Sequence, residues 1–590
     1  MYILGIVEGH NCSAALLKDG IIIAMCFEER FSRLKNDFGY PERAINYCLS
    51  FAGISPEQID HVAMVTEKLP IAQVVVKREA LFSMEDYIKE QEEYWKPTLL
   101  EGKKVDYLSI FKDKIALNDL HYNLKDYSLD RKSFEIFRDI RINTIKEKLK
   151  KTDDQIHIVN HHLAHSMYAI FTTPNYQEKD LLVLASDGYG DDCSSSVGIF
   201  KNSKFEFISK SIGSGIGRLY RYATLLLGMK PGVDEFKVMG LAPYAKEYHW
   251  RSIYDALKVY LNVNGMEIDF TNPDKDLYFS LKERLKSGRF DGIAAGLQFF
   301  CEEISKEWVK NCILHTGIRD IVYSGGVSMN IKINKMLMEM DEVDSIFVGP
   351  SGGDESLSAG AAYTLCHQLY PHIQIPHLEN TYLGPEYNKD SVQKTIAKSN
   401  LSNFKIIEDP SIDLIADLLA NGNVIARSCG RMEFGARALG NRSILANAKD
   451  YRMIRKINDK IKRRDFWMPF APIILKERMN DYVINPKGIY SPYMTIGFDS
   501  TPLAIEHLRA AIHPADDSMR PQILDKKQNY ELYQLMKKFE EKTGMGGMLN
   551  TSFNLHGEPI CASPEDSIKT FLNSELDALL MDGFLIIRNA

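Results

Sequence analysis

Two distant stretches of the chain carry one design, and this repetition constrains the fold more than any other feature. Tyr2–Val7 reads as a short apolar strand and Glu8-Gly9-His10-Asn11 as a polar turn. Ser13–Leu17 and Ile21–Cys26, joined by Lys18-Asp19-Gly20, follow as two more strands. Leu181–Ala185 is again an apolar strand, followed by the polar loop Asp187-Gly188-Tyr189-Gly190-Asp191 and the strands Ser194–Phe200 and Phe205–Ser209. Each copy aims a glycine-containing loop from the end of a buried strand, a design suited to holding phosphates between two related halves. Two unrelated hairpins would satisfy the same pattern. Further strand–loop units occur at Ile321–Ser328, with Gly325 and Gly326 in the loop, and at Ser345–Asp354, with a helix expected over Ala359–Leu365. Strands alternating with helices predict an α/β domain whose ligands sit at strand ends.

The 590-residue length predicts about three to five domain-sized units. Residues 67–151 are rich in Lys, Glu and Tyr and poor in Gly, with helix-like runs at Ser83–Tyr94 and Phe134–Lys150, and read as a helical insertion. Pro371–Tyr387, with three prolines and no clear period, reads as a linker before a second unit. The first residues have neither the basic start nor the apolar run of a secretory leader. No run approaches the ~18 apolar residues of a membrane helix. Nine cysteines with no Cys-x-x-Cys pair point to reduced thiols and a cytoplasmic protein.

Charge is distributed unevenly. The whole chain carries −7, yet residues 427–465 hold twelve Lys and Arg against four Asp and Glu. A solvated helical face with Ile454, Ile457 and Ile461 as its buried stripe accounts for part of this. Arg431, Arg437 and Arg442, however, are interleaved with Gly430, Gly435 and Gly440, which suits close approach to an anion. An acidic chain with one basic segment does not fit whole-surface nucleic-acid binding.

Asn160-His161-His162-Leu163-Ala164-His165 is the sharpest local signal. On a helix His161 and His165 share one face a turn apart, as metal ligands do, whereas His162 points elsewhere. Surface histidines on a helix are the plainer reading. No His-Glu-x-x-His is present, which disfavours a metalloprotease. Further ligands would be Asp354, after two glycines at a strand-to-helix turn, and Asp187 at the exit of an earlier strand; each also suits a plain cap or turn. Mixed imidazole and carboxylate donors fit Fe²⁺, Zn²⁺ or Mn²⁺ alike. Gly213-Ser214-Gly215-Ile216-Gly217-Arg218 misses the dinucleotide fingerprint at its last position, and no Walker-type loop exists.

These pieces occur in a family order: His10 in its turn; Glu28-Glu29-Arg30 with Lys35; the 161–165 histidines; Lys237–Tyr244; Ser324–Val327; and Gly353-Asp354. Gly435–Ser443, Pro469-Phe470-Ala471-Pro472, Arg520-Pro521-Gln522 and Asn550–Asn554 complete it. The chain thereby resembles the nodulation-protein-U and tobramycin-type O-carbamoyltransferases over nearly its whole length, apart from the 67–151 insertion.

The resemblance implies an α/β protein of two domains. Residues 1–370 would form a duplicated actin/sugar-kinase-like domain related to the threonylcarbamoyl-transfer subunit of tRNA modification. Residues 371–387 would form a linker, and 388–590 a YrdC-like α/β domain. The second domain would make carbamoyl-adenylate from carbamoyl phosphate and ATP, with Mg²⁺. The first would move the carbamoyl group to a hydroxyl of a small natural-product or sugar acceptor.

By motif, His161, His165, Asp187 and Asp354 would hold a divalent metal, with Fe²⁺ favoured by the family. His10 and Lys35 would lie near the carbamoyl group and acceptor. Arg437, Arg442, Lys462, Arg464, Arg520, Asn550 and Ser552 would contact carbamoyl phosphate and ATP, with Gly325 and Gly326 as further cofactor contacts. The family's Arg before Pro-Phe-Ala-Pro is Met468 here, so Arg463 or Arg464 would supply that charge. Threonylcarbamoyl transfer to tRNA and an actin-like ATPase or sugar kinase are the competing activities. The expected partners are small molecules, with neither nucleic acid nor membrane, and a homodimer stays open.

Overall fold

The computed structural model describes residues 1–117, 120–124, 134–271 and 274–589. The chain divides into two compact units, Met1–Ser32 with Asn36–Leu378, and Arg33–Lys35 with Glu379–Ala590.

The first unit contains the repeated design in full. Its first sheet comprises β1 (Tyr2–Val7), β2 (Ser13–Lys18), β3 (Ile21–Phe27), β4 (His61–Val65) and β5 (Ile156–Val159), in the order β3-β2-β1-β4-β5. The second half supplies β6 (Leu181–Gly190), β7 (Cys193–Lys201) and β8 (Lys204–Ile212), a separate hairpin of β9 (Leu261–Asn264) and β10 (Glu267–Phe270), and then β11 (Asp320–Ser324) and β12 (Ser345–Val348). Its second sheet runs β12-β11-β6-β7-β8. Strand for strand this is the same order, with an antiparallel meander on one side of the founding strand and parallel partners on the other. The two stretches are therefore copies of one design, not unrelated hairpins. Five of the six residues of β1 are buried, as a strand flanked on both edges and packed on its faces requires.

One expected loop is strand. β6 continues through Asp187 to Gly190, but its ladder to β7 breaks between Ser186 and Gly190. Such a bulge re-aims the residues inside it, here Asp187.

The helices of this unit include α1 (His161–Thr172), α2 (Phe290–Thr316) and α3 (Leu357–Leu369), of which the first and third bear on the site. The Asn160 side chain caps α1 by accepting from the His162 and Leu163 N–H groups. The expected insertion at 67–151 is described except at 118–119 and 125–133. Its described part is helical, including Met84–Lys89 and Phe134–Leu149, and carries no strand.

The second unit is built on an eight-stranded mixed sheet. Its strands are β13 (Phe404–Glu408), β14 (Ile425–Ser428), β15 (Arg442–Ala446) and β16 (Ala471–Leu475), then β20 (Gln522–Leu524), β21 (Gly547–Ser552), β22 (Ala578–Met581) and β23 (Phe584–Arg588). The order is β13-β23-β22-β14-β15-β21-β16-β20. Between β16 and β20 in the chain, β17 (Val483–Ile484), β18 (Phe498–Ser500) and β19 (Ser518–Met519) form a small sheet of their own. Helix α4 (Tyr530–Thr543) turns Leu532, Leu535, Met536 and Phe539 onto a core shared with Ile425, Leu445, Ile473 and Met548. In the basic segment the buried stripe is Met453, Ile457 and Ile461, while Ile454 is only half-buried. Among the described residues no helix is long and apolar enough to cross a membrane.

Candidate metal centre and cationic pocket

In the first unit His161, His165, Asp187 and Asp354 come together, with one ligand atom of each lying within 4.8 Å of all the others. The two histidines rise from the first turns of α1, Asp187 projects from the β6 bulge, and Asp354 stands just before α3. His161 Nε2 lies 3.1 Å from Asp187 Oδ2 and 3.6 Å from Asp354 Oδ1. His165 Nε2 lies 3.8 Å from that same Asp354 oxygen and is buried with no hydrogen-bond partner.

The opposite nitrogens are both tied down. His161 Nδ1 is 3.1 Å from Thr66 Oγ1, and His165 Nδ1 is 3.2 Å from Ser324 Oγ. Hydroxyls holding both Nδ1 atoms and carboxylates facing both Nε2 atoms make a donor set that fits a divalent cation.

The charge balance of the cluster is tense. Burial lowers the His161 pKa, but Asp354 and Asp187 more than reverse this and raise it to about 9. Burial would raise Asp187, yet the His161 hydrogen bond and charge hold it below the carboxylate range. Burial and the neighbouring Asp187 push Asp354 up to about 8. His165 is lowered by burial and by His161. A bound cation would take the place of the protons that now balance this cluster.

His162 is a satisfied core histidine. Its Nδ1 meets Ser196 Oγ and its Nε2 meets the Cys193 carbonyl, each at 3.1 Å, and burial lowers its pKa to about 4.

The two glycine loops close on the ligands. Gly190 leaves so little space that a Cβ there would lie 2.3 Å from the His161 ring. Gly325 has φ +92°, and a Cβ would sit 2.2 Å from the Ser186 carbonyl oxygen. Gly326 N–H donates to Asp187 Oδ1 at 2.8 Å. Gly325 and Gly326, expected as cofactor contacts, thus shape and orient the Asp187 arm. His10 is half-buried, with Nε2 3.2 Å from Asn11 Nδ2 and Nδ1 buried without a hydrogen-bond partner.

Sequence reasoning missed Thr66 and Asp191. Asp191 Oδ2 accepts the His161 N–H at 2.8 Å, and its Oδ1 accepts those of Glu67 and Lys68. A polar residue two positions after Tyr189 in a glycine loop was the only local hint.

In the second unit Arg437, Lys462, Arg464 and Arg520 form a cationic group. Arg520 is driven well below its ordinary pKa by burial and then by Arg437 and Arg464. Arg464 is lowered to about 10 by burial and by Arg437. Lys462 is lowered by burial and by Arg464, with Lys35 adding to the repulsion. The three arginines are half-buried, in reach of a solute. Lys462 Nζ donates to Asn554 Oδ1 at 2.7 Å and to Ser552 Oγ at 3.1 Å. Like charges gathered in this way await an anion. Of the two candidates for the charge beside Met468, Arg464 joins the group, while Arg463 is exposed.

Asn550 is buried, with Nδ2 donating to the Ala438 carbonyl at 2.9 Å and Oδ1 without a partner. Lys35 belongs to this unit rather than to the one holding His10.

Arg442 does not join the cationic group. It is 1% exposed, and its guanidinium donates to the carbonyls of Ala562, Cys429, Gly430, Asn441 and Pro385 at 3.0–3.3 Å. Each of its three nitrogens donates to backbone, so it anchors the loop.

Residues 2–363 match the family model described as carbamoyltransferase N-terminus, and 416–588 match carbamoyltransferase C-terminus. An uncharacterised protein of Methanocaldococcus jannaschii is 33% identical over 99% of both chains. Nodulation protein NolNO of Sinorhizobium fredii is 28% identical over 98% of this chain and 79% of its own. Among solved structures, full-length HypF in its phosphate- and nucleotide-bound form aligns at 12% identity and TM-score 0.35, covering 62% of this chain and 55% of that one.

Proposed function

The chain belongs to the carbamoyltransferase family and is a carbamoyltransferase enzyme, and from that premise we propose an ATP-dependent route through carbamoyl-adenylate to an O-carbamoylated small molecule. Water hydrolyses carbamoyl phosphate, breaking its bond to phosphate, and leaves carbamate and inorganic phosphate. A carbamate oxygen attacks the α-phosphorus of ATP and displaces pyrophosphate. The hydroxyl of a natural-product or sugar acceptor then attacks the carbamoyl carbon, and AMP departs with the C–O electron pair.

The observation that carries this reading is the cationic group Arg437, Lys462, Arg464 and Arg520, in which burial and neighbouring arginines depress Lys462, Arg464 and Arg520. Two polyanionic substrates, accompanied by Mg²⁺, supply the missing counter-charge, and fixed cations stabilise charge that develops during displacement. We assign adenylate formation to this second unit, as a YrdC-like domain, with Ser552 and Asn550 beside the cations.

Transfer is assigned to the first unit. A divalent metal on His161, His165, Asp187 and Asp354, Fe²⁺ by family resemblance, would supply Lewis-acid polarisation of an oxygen of the activated carbamoyl group. His10, whose Nδ1 has no hydrogen-bond partner in the protein, takes the alcohol proton as the new bond forms. Lys35, a residue of the second unit whose charge reaches Lys462, serves near the carbamoyl group there. All nine cysteines are buried free thiols, which supports a reducing, cytoplasmic setting.

The test is incubation with ATP, carbamoyl phosphate and a panel of sugars, aminoglycosides and polyols, following phosphates by ion chromatography and acceptors by mass. Pyrophosphate, AMP and an acceptor heavier by one carbamoyl group are expected. Release of ADP instead of pyrophosphate overturns the adenylate route.

A further inference from the structure

Thr66 follows β4 at the carboxyl end of the first sheet and donates its N–H to the Val159 carbonyl at 3.1 Å. Its φ is +71°, a left-handed backbone that a β-branched residue rarely adopts. Such a conformation persists only where the surroundings over-determine it.

Here they do. Arg141 donates from Nη1 to the Thr66 carbonyl and from Nη2 to the Val65 carbonyl, both at 2.7 Å. Its Nε pairs with Glu8 Oε2 at 2.5 Å, and Tyr122 donates to Glu8 Oε1 at 2.8 Å. Arg141 and Glu8 are both 0% exposed. On the other side of the turn, Asp191 accepts the next two N–H groups and the His161 N–H. The turn is clamped at both ends, and the Thr66 hydroxyl is left 3.1 Å from His161 Nδ1.

We propose that Thr66 is the positioning residue of His161. Its hydroxyl accepts the Nδ1 proton, which fixes the ring's rotation and aims Nε2 at Asp187 and Asp354. The buried Glu8–Arg141 pair, whose arginine comes from the last helix of the 67–151 insertion, holds the hydroxyl in place. The insertion thereby contributes to the site from behind. This inference rests on the reading of His161, His165, Asp187 and Asp354 as a metal centre.

Full-length wild-type chain, Thr66→Val, Thr66→Ala and Thr66→Ser are titrated with Co²⁺ against a competing chelator. The visible Co²⁺ spectrum and the melting midpoint in excess chelator are recorded as well. Val keeps the size and branching of Thr, Ala removes the branch that strains this backbone, and Ser keeps the hydroxyl. Thr66→Val and Thr66→Ala are expected to weaken Co²⁺ binding by about 10–100-fold. They should also alter its spectrum by more than any change in the chelated midpoint accounts for, and Thr66→Ser should restore affinity and spectrum. Wild-type-like binding by Val and Ala, or a Ser variant as weak as they are, overturns the role of Thr66 alone. A wild-type chain that binds no Co²⁺ overturns the metal centre itself and this inference with it.

Discussion

The ring of His161 occupies the space where a side chain at position 190 would stand: a Cβ on Gly190 would fall 2.3 Å from the imidazole Cγ and Cδ2. Gly190 is not in a left-handed conformation, so alanine meets no backbone penalty there, and the whole effect of Gly190→Ala comes from displacing His161. Overpacking of this kind costs about 1–3 kcal/mol. Because His161 Nε2 faces Asp187 and Asp354, the displacement is expected to weaken Zn²⁺ binding at least about tenfold. Carbamoyl transfer should fall with it, while pyrophosphate release from ATP and carbamoyl phosphate stays near the wild-type rate. Zn²⁺ affinity and the two product assays check this, and unchanged affinity would refute the packing argument.

A cation held among cations destabilises the empty protein. Arg520 is depressed by burial and then by Arg437 and Arg464. Arg520→Met keeps the side chain's length and removes its charge, so it should raise the free energy of unfolding by about 1 kcal/mol in the absence of anions. Carbamoyl phosphate affinity should meanwhile fall by about 1.5–3 kcal/mol, the worth of a charge-assisted hydrogen bond. Adding inorganic phosphate should stabilise the wild type, by about 2.7 kcal/mol at a concentration one hundred times Kd, and the variant much less. Urea melts with and without phosphate decide the point. A variant less stable than wild type in phosphate-free buffer would show that no repulsion is stored there.

Arg442 should behave in the opposite way to Arg437. Its guanidinium satisfies five backbone carbonyls in a buried setting, and lysine has neither the reach nor the fork to do so. Arg442→Lys is expected to lose more than about 3 kcal/mol of stability, each orphaned polar group costing about 1–3. The protein that stays folded at low temperature should bind carbamoyl phosphate as the wild type does. Arg437→Lys should change stability by less than about 1 kcal/mol and weaken binding. Calorimetric titration beside thermal melts separates the two.

That contrast marks where sequence reading reaches its limit. Arg437 and Arg442 stand in the same Gly-rich run, and only the pairing of β15 inside the sheet, with Arg442 as its first residue, turns one toward carbonyls. The histidines were legible because one helical turn places positions 161 and 165 on one face whatever surrounds them. Strands such as Tyr2–Val7 and Ser345–Val348 were equally legible from their apolar runs and bounding turns. Thr66 was not legible. Its left-handed backbone is imposed by Arg141, 75 residues further on, and nothing local requires it. The strand character of Asp187–Gly190 was hidden for a related reason, since a bulge in the middle of a strand has the composition of a loop.

Glu28 gives the first unit a pH dependence that can be isolated. Its carboxylate accepts the N–H groups of Arg43 at 3.2 Å and Ala44 at 2.8 Å, but burial dominates and pushes its pKa from 4.5 up to about 7. A carboxyl whose pKa is higher folded than unfolded binds more protons in the native state between those two values. Its contribution to stability is therefore full below about pH 4.5, declines as pH rises toward about 7, and is constant above. At about 1.4 kcal/mol per unit the loss amounts to about 3 kcal/mol. Glu28→Gln cannot ionise, and its amide nitrogen meets one of the two N–H donors, so it costs a hydrogen bond at every pH. The expected result is a variant less stable than wild type at pH 4.5 whose deficit shrinks or reverses by pH 8. Urea unfolding of both proteins across that range measures the difference directly. A difference that stays flat with pH would mean that Glu28 is as ionised in the folded chain as in the unfolded one.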